Sequence, residues 1–228
     1  MPPALDPGAA RSALQNARLY AILDAAYSPP ARWPELARQL VAGGADIFQI
    51  RAKNLSKEEI LAQARILAPL LAGLGLPLIL NDYPDLVAPS GAAGCHLGQD
   101  DLGIPEARKM LGSSVLLGLS THSPCQALAG QAVGADYLGF GPLYATGTKP
   151  DYRPIGPEKI RQIIGKVTLP VFCIGGLNPD RVAEATRHGA QRVCVVSHLL
   201  LAPDPAAAAR EVLSRLGSAS PLKEAVRS

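Results

Sequence analysis

Apolar runs and amphipathic segments alternate eight times along the chain. RLYAILD (18–24) is the first run, and PARWPELARQLVAGGA after it has helical spacing. IFQIRAK (47–53) is followed by SKEEILAQARILAPLLAGLG, where Ser56 and Glu59 form the N-cap pattern and glycines end the helix. PLILND (77–82) leads into a short helix or turn. GCHLG (94–98) precedes the helix IPEARKMLG, and VLLGLS (115–120) precedes SPCQALAGQAVGA, with Ser123 as cap. DYLGFG, beginning at Asp136, is the sixth run, with a helix expected over GPEKIRQIIGKV. PVFCIGG (170–176) precedes NPDRVAEATRHGA, where Asn178 caps and Pro179 takes the first helical position. RVCVVS (192–197) precedes DPAAAAREVLSRLG.

Each strand is a continuous apolar run rather than an in–out alternation, the pattern of strands buried on both faces in a parallel sheet. Right-handed crossovers then allow a closed barrel or an open doubly wound sheet. Eight units without a linker favour the former: an α/β chain folded as a single (β/α)8 TIM barrel over residues 17–217. GGAD, GAAG, VGADY and HGAQRV recur just before strands, each turning the chain from helix into strand at a glycine. Residues 1–16, rich in Pro, Ala and Gly, read as a loose N-terminal tail, and 218–228 as a ragged C-terminal one.

In such a barrel the chemistry lies where strands end and helices begin. Polar residues collect there: Gln49, Arg51, Lys53 and Asn54 after strand 2; Asn81 and Asp82 after strand 3; His96, Gln99, Asp100 and Asp101 after strand 4; Ser120, Thr121 and His122 after strand 5. Strand 6 runs into a loop carrying Thr146, Gly147, Thr148 and Lys149, a set of hydroxyls and an ammonium suited to gripping an anion. Arg51, Lys53 and Lys149 facing Asp82 and the Asp100/Asp101 pair suggest Mg2+ shared with a diphosphate. The plainer alternative is that these aspartates cap the helices that follow. Gly175 and Gly176 after strand 7, and Val196 and Ser197 after strand 8, suggest a second site for a phosphate monoester held by backbone N–H groups. His96 reads as a satisfied core histidine. His122 stays open as an acid–base group.

Composition narrows the partners. With 48% hydrophobic and 4% aromatic residues, aliphatic side chains must fill the core. A net charge of +3, without a cluster of Lys and Arg, argues against nucleic acid. No apolar stretch is long enough to cross a membrane, and the N-terminus lacks a signal-peptide pattern. Four cysteines without metal spacing fit a reducing, cytoplasmic setting.

The motifs QIRAK (49–53), ND (81–82), HLGQDD (96–101), GLSTH (118–122), GFGPLYATGTK (139–149), IGG (174–176) and VVS (195–197) stand in order at the ends of successive strands. In this the chain resembles thiamine phosphate synthase, over roughly residues 18–216. The resemblance implies a transferase that joins 4-amino-2-methyl-5-hydroxymethylpyrimidine diphosphate to thiazole phosphate, or its carboxylated tautomer, and releases diphosphate. It implies that Gln49, Ile50, Arg51, Ala52, Lys53, Asn81 and Lys149 hold the pyrimidine diphosphate and that Ser120 contacts the pyrimidine. It implies Mg2+ on Asp82 and Asp101, selecting Asp101 over Asp100. Thr146, Gly147, Thr148, Gly176, Val196 and Ser197 would then hold the thiazole phosphate. Arg51, Lys53, Ser120 and Lys149 would carry the catalysis. Tyr83 and Cys95 depart from the common pattern beside these motifs. The implied partners are small-molecule substrates, with a homo-oligomer left open. Two rivals share the barrel: a thiazole tautomerase, with His122 as acid–base, and a non-catalytic barrel that senses thiazole phosphate. Neither requires the strand-2 cations and both aspartates.

Overall fold

A computed structural model describes residues 4–147 and 153–217. The strands are β1 (Leu19–Asp24), β2 (Ile47–Arg51), β3 (Leu78–Asn81), β4 (Gly94–Leu97), β5 (Leu116–Thr121), β6 (Tyr137–Phe140), β7 (Val171–Ile174) and β8 (Val193–Val195). All neighbours are parallel, in sequence order, and β8 closes on β1, so the sheet is a closed barrel. The open-sheet rival is thereby excluded. Helices cover the outside, among them Trp33–Ala42, Lys57–Ala72, Ile104–Leu111, Pro124–Ala132, Pro179–Arg187 and Pro205–Arg215. The capping box at Ser56 and Glu59 forms as its spacing predicts, and Ser123 and Asn178 cap their helices.

Register decides which side chains enter the barrel. Tyr20 pairs with Ile47, Ile22 with Gln49 and Asp24 with Arg51. Asn81 aligns with His96, His96 with Gly118, and Gly118 with Tyr137. Because side chains alternate between faces, Tyr20, Ile22, Gln49, Arg51, Asn81, His96, Ser120, Tyr137, Phe172 and Ile174 line the interior. Three of the chain's few aromatic residues meet there. Tyr20, Tyr137 and Phe172 pack edge to face, with ring centroids 5.3–5.9 Å apart. Gly118 makes room for them, since a Cβ there would lie 2.1 Å from the Tyr137 ring and 2.5 Å from His96.

Two expectations are corrected. Residues 7–16 are not a loose tail but a helix, α1 (Pro7–Asn16), whose N-terminus is capped by Asp6 accepting from Ala9 N–H. Arg11 bonds the Asp136 carboxylate and the Ser113 carbonyl, and Arg192 bonds the Gln15 carbonyl. These partners sit just ahead of β6, β5 and β8, so α1 lies across the N-terminal end of the barrel with Ala10 and Leu14 buried. Leu14→Ala is therefore expected to cost roughly 2–5 kcal/mol in chemical denaturation. A change near zero would return the segment to a loose tail. The helix expected over GPEKIRQIIGKV is only a 3-10 turn, Pro157–Gln162. Gly156 at φ 81° and Gly165 at φ 74° bound the segment, and its three β-branched isoleucines lower its helix propensity.

Candidate active site

The inward residues open at the C-terminal end of the barrel into a solvent-accessible cavity of about 80 Å3. Of the residues singled out from the sequence, Gln49, Arg51, Asn81, Ser120, Thr146, Gly176, Val196 and Ser197 all line it. They come from the ends of β2, β3 and β5 and from the segments after β6, β7 and β8, so one space borders residues of both proposed anion sites, while Lys53, Asp82 and Asp101 are not among the residues that line it. Ile50 is buried on the opposite face of β2, paired with Leu23 and Leu80. Neither it nor Ala52 lines the cavity. Gly147 also lies off the cavity wall. Thr148 and Lys149 fall outside the described residues.

The cationic side is built on a pair that strand-end reasoning missed. Asp24, 1% exposed at the end of β1, accepts a 2.6 Å bond from Arg51. Asp24 also accepts from the N–H of Ala26, which ties it to the following turn. The signal was in the sequence: LYAILD ends on a carboxylate, as the other strands end on polar groups.

A second charged group links the segments after β2, β3 and β4. Lys53 reaches Asp82 at 3.2 Å, and the carboxyls of Asp82 and Asp101 interact directly. Asp82 has φ 67°, a left-handed conformation that Asp tolerates better than most residues, while its N–H bonds the His96 carbonyl. Asp101 accepts from Gly98 N–H at 2.7 Å. Burial, and next the charge of Asp101, raise the Asp82 carboxyl above the usual carboxylate range, with Lys53 opposing. Two carboxylates in contact oppose each other, and a divalent cation shared between them would remove that conflict. Among the described residues no group of three or more His, Cys, Asp or Glu forms a cage for a metal ion. A pair of carboxylates is nevertheless a donor set that suits Mg2+, which takes few protein ligands and completes its shell with phosphate oxygens and water.

On the opposite side, Gly175 (φ 103°) and Gly176 (φ 64°) bring backbone to the cavity edge. A Cβ on Gly175 would sit 2.4 Å from Pro142, and one on Gly176 would sit 2.5 Å from the Ala145 carbonyl. Arg181 bonds the Gly176 carbonyl at 2.6 Å and lies over the Tyr144 ring, holding this turn. Ser197 opens the short helix Ser197–Leu200.

His96 and His122 both line the cavity. His96 is 9% exposed with both ring nitrogens hydrogen-bonded, so the core reading describes its packing but not its position. His122 donates from Nδ1 to the Gly141 carbonyl. Cys95 and Cys173 are buried and their thiols are pushed up to about 12, chiefly by desolvation, which leaves them inert as nucleophiles. Among the described residues no helix is long and apolar enough to cross a membrane.

A closed parallel barrel whose polar groups converge at the strand C-termini defines an enzyme of the (β/α)8 class. The family model for thiamine monophosphate synthase matches residues 19–199. The thiamine-phosphate synthase of Shouchella clausii is 39% identical over 204 residues, covering 89% of this chain and 98% of that protein. That of Moorella thermoacetica is 42% identical, covering 79% and 88%. The structure of thiamine phosphate pyrophosphorylase from Pyrococcus furiosus superposes with a TM-score of 0.80 at 31% identity, covering 90% of this chain and 96% of that one. A 3-hexulose-6-phosphate synthase, at 17% identity and TM-score 0.66, shares the fold. The chain belongs to the thiamine monophosphate synthase family, and with it to the transferases of thiamine biosynthesis.

Proposed function

We propose that this chain couples 4-amino-2-methyl-5-hydroxymethylpyrimidine diphosphate with 4-methyl-5-(2-hydroxyethyl)thiazole phosphate, giving thiamine phosphate and diphosphate. The observation that carries the reading is the single cavity bordered by Gln49, Arg51, Asn81 and Ser120 on one side and Thr146, Gly176, Val196 and Ser197 on the other. Two phosphorylated substrates must be held face to face, and this space offers a cationic end and a glycine-lined end. Small-molecule substrates are the partners this reading requires.

The chemistry is a dissociative substitution. The amino group of the pyrimidine donates electron density to the ring, so the exocyclic carbon can carry positive charge as diphosphate leaves. The thiazole nitrogen then forms the new bond to that carbon, and the electron pair of the broken C–O bond departs with diphosphate. Arg51, held in place by Asp24, and Lys53 stabilise the charge that grows on the leaving group. Lys149 joins them in the reading taken from the sequence. Ser120 and Gln49 orient the pyrimidine, and backbone groups at Gly176, Val196 and Ser197 orient the thiazole phosphate. Asp82 and Asp101 would hold Mg2+, which when bound supplies charge neutralisation on the diphosphate. The buried floor keeps water away from the cationic carbon.

Given both substrates and Mg2+, purified protein is expected to form thiamine phosphate and diphosphate in equal amounts, and excess chelator is expected to stop the reaction. Isomerisation of the carboxylated thiazole without coupling would select the tautomerase instead. Tight binding of thiazole phosphate without turnover would select a sensor.

A further inference from the structure

Beneath the cavity, five side chains from five strands join in one hydrogen-bonded chain. Gln49 donates from Nε2 to the Tyr20 hydroxyl at 2.7 Å. The hydroxyls of Tyr20 and Tyr137 are 3.0 Å apart. Tyr137 Oη lies 3.1 Å from His96 Nδ1, and His96 Nε2 lies 3.0 Å from Ser120 Oγ. Tyr20 and Tyr137 are buried to 2% and 0% exposure, and burial raises both hydroxyls well above the usual phenol value, so they stay protonated.

Each tyrosine has one proton to give, so the Gln49 Nε2 donor at one end fixes the direction of the whole chain. Tyr20 receives from Gln49 and gives to Tyr137. Tyr137 gives to His96 Nδ1. A neutral His96 then carries its proton on Nε2 and gives it to Ser120 Oγ, which leaves the Ser120 proton to point elsewhere. The Gln49 amide oxygen has no donor among the described residues. Gln49 and Ser120 both line the cavity. The chain therefore offers the cavity an acceptor at Gln49 and a donor at Ser120. Running it backwards requires the Gln49 amide to flip and exchanges the two roles.

A 4-aminopyrimidine carries the complement, an exocyclic N–H donor beside a ring-nitrogen acceptor. A 4-oxopyrimidine carries the opposite pair, a carbonyl acceptor beside a ring N–H. We propose that the Gln49–Tyr20–Tyr137–His96–Ser120 chain selects aminopyrimidine over oxopyrimidine diphosphates, with Tyr20, Tyr137 and His96 as positioning residues that couple the orientation of the Gln49 amide to the proton on Ser120. The inference rests on the pyrimidine half of the proposed function. A site built to hydrogen-bond its ligand discriminates strongly, because the wrong partner leaves buried polar groups unpaired.

The test is titration calorimetry with Mg2+ and the 4-amino and 4-oxo forms of the pyrimidine diphosphate, on the wild type and on Tyr20→Phe and Tyr137→Phe. Either phenylalanine keeps the ring and removes one link. The preference for the amino form is expected to fall by roughly tenfold in each variant, with thiazole phosphate affinity changed far less. Nitrogen-15 NMR of wild-type His96 is expected to show a proton on Nε2 and none on Nδ1. An unchanged preference in both variants, an equal loss for both pyrimidines, or a proton on Nδ1 overturns the inference and leaves the functional reading intact. A wild type that binds neither pyrimidine diphosphate overturns the functional reading and this inference with it.

Discussion

Asp101→Ala is expected to reduce kcat/KM for coupling by about 10^3-fold while thiazole phosphate still binds. The substitution removes one of the two carboxylates in contact at the rim and leaves the glycine-lined side of the cavity untouched. Asp101 also accepts from the Gly98 N–H, so its loss loosens the turn after β4. Asp101→Asn separates the two effects, since the amide oxygen still accepts from Gly98 while the negative charge is gone. If charge is what matters, the asparagine variant is as impaired as the alanine one, and raising Mg2+ recovers little. Coupling at the wild-type rate by either variant in Mg2+ would sink the metal assignment. Thiazole phosphate affinity, measured separately, shows whether the rest of the site has survived.

The second large effect is at Arg51. Arg51→Ala is expected to abolish measurable coupling and also to lower stability by roughly 3–5 kcal/mol. The reason is Asp24, whose side chain is 2% exposed and 2.6 Å from the guanidinium. Removing the cation leaves a carboxylate stranded in the barrel wall. The double variant Asp24→Leu/Arg51→Met removes both charges and fills the space with apolar atoms. It is expected to regain most of the stability in urea denaturation and none of the activity. Recovery of activity together with stability would mean that Arg51 serves only to neutralise Asp24.

Much of this arrangement was legible before any coordinates. The eight continuous apolar runs indicated a parallel sheet, and the polar residues ending them marked the rim. QIRAK even alternates polar residues at 49, 51 and 53, a period of two that places Gln49 and Arg51 on one face and Ile50 on the other. Asp24 was legible by the rule applied to the other strands. α1 was legible too, since Asp6-Pro7 is a helix start followed by good helix formers, yet its Pro, Ala and Gly content reads as a loose end. Which elements that helix would touch was not legible, because its partners Ser113, Asp136 and Arg192 lie a hundred or more residues away.

The order of residues alone dictated the repeating strand–helix alternation and the rim residues, because burial on both faces and termination by polar groups are local properties that composition records. Closure of β8 on β1, the pairing of Asp24 with Arg51, the meeting of Asp82 with Asp101 and the chain from Gln49 to Ser120 were decided by the tertiary structure. Each joins side chains from different strands. Whether such groups stand opposed depends on barrel register and on the space that Gly118 leaves between Tyr137 and His96, and no single stretch of sequence contains that information.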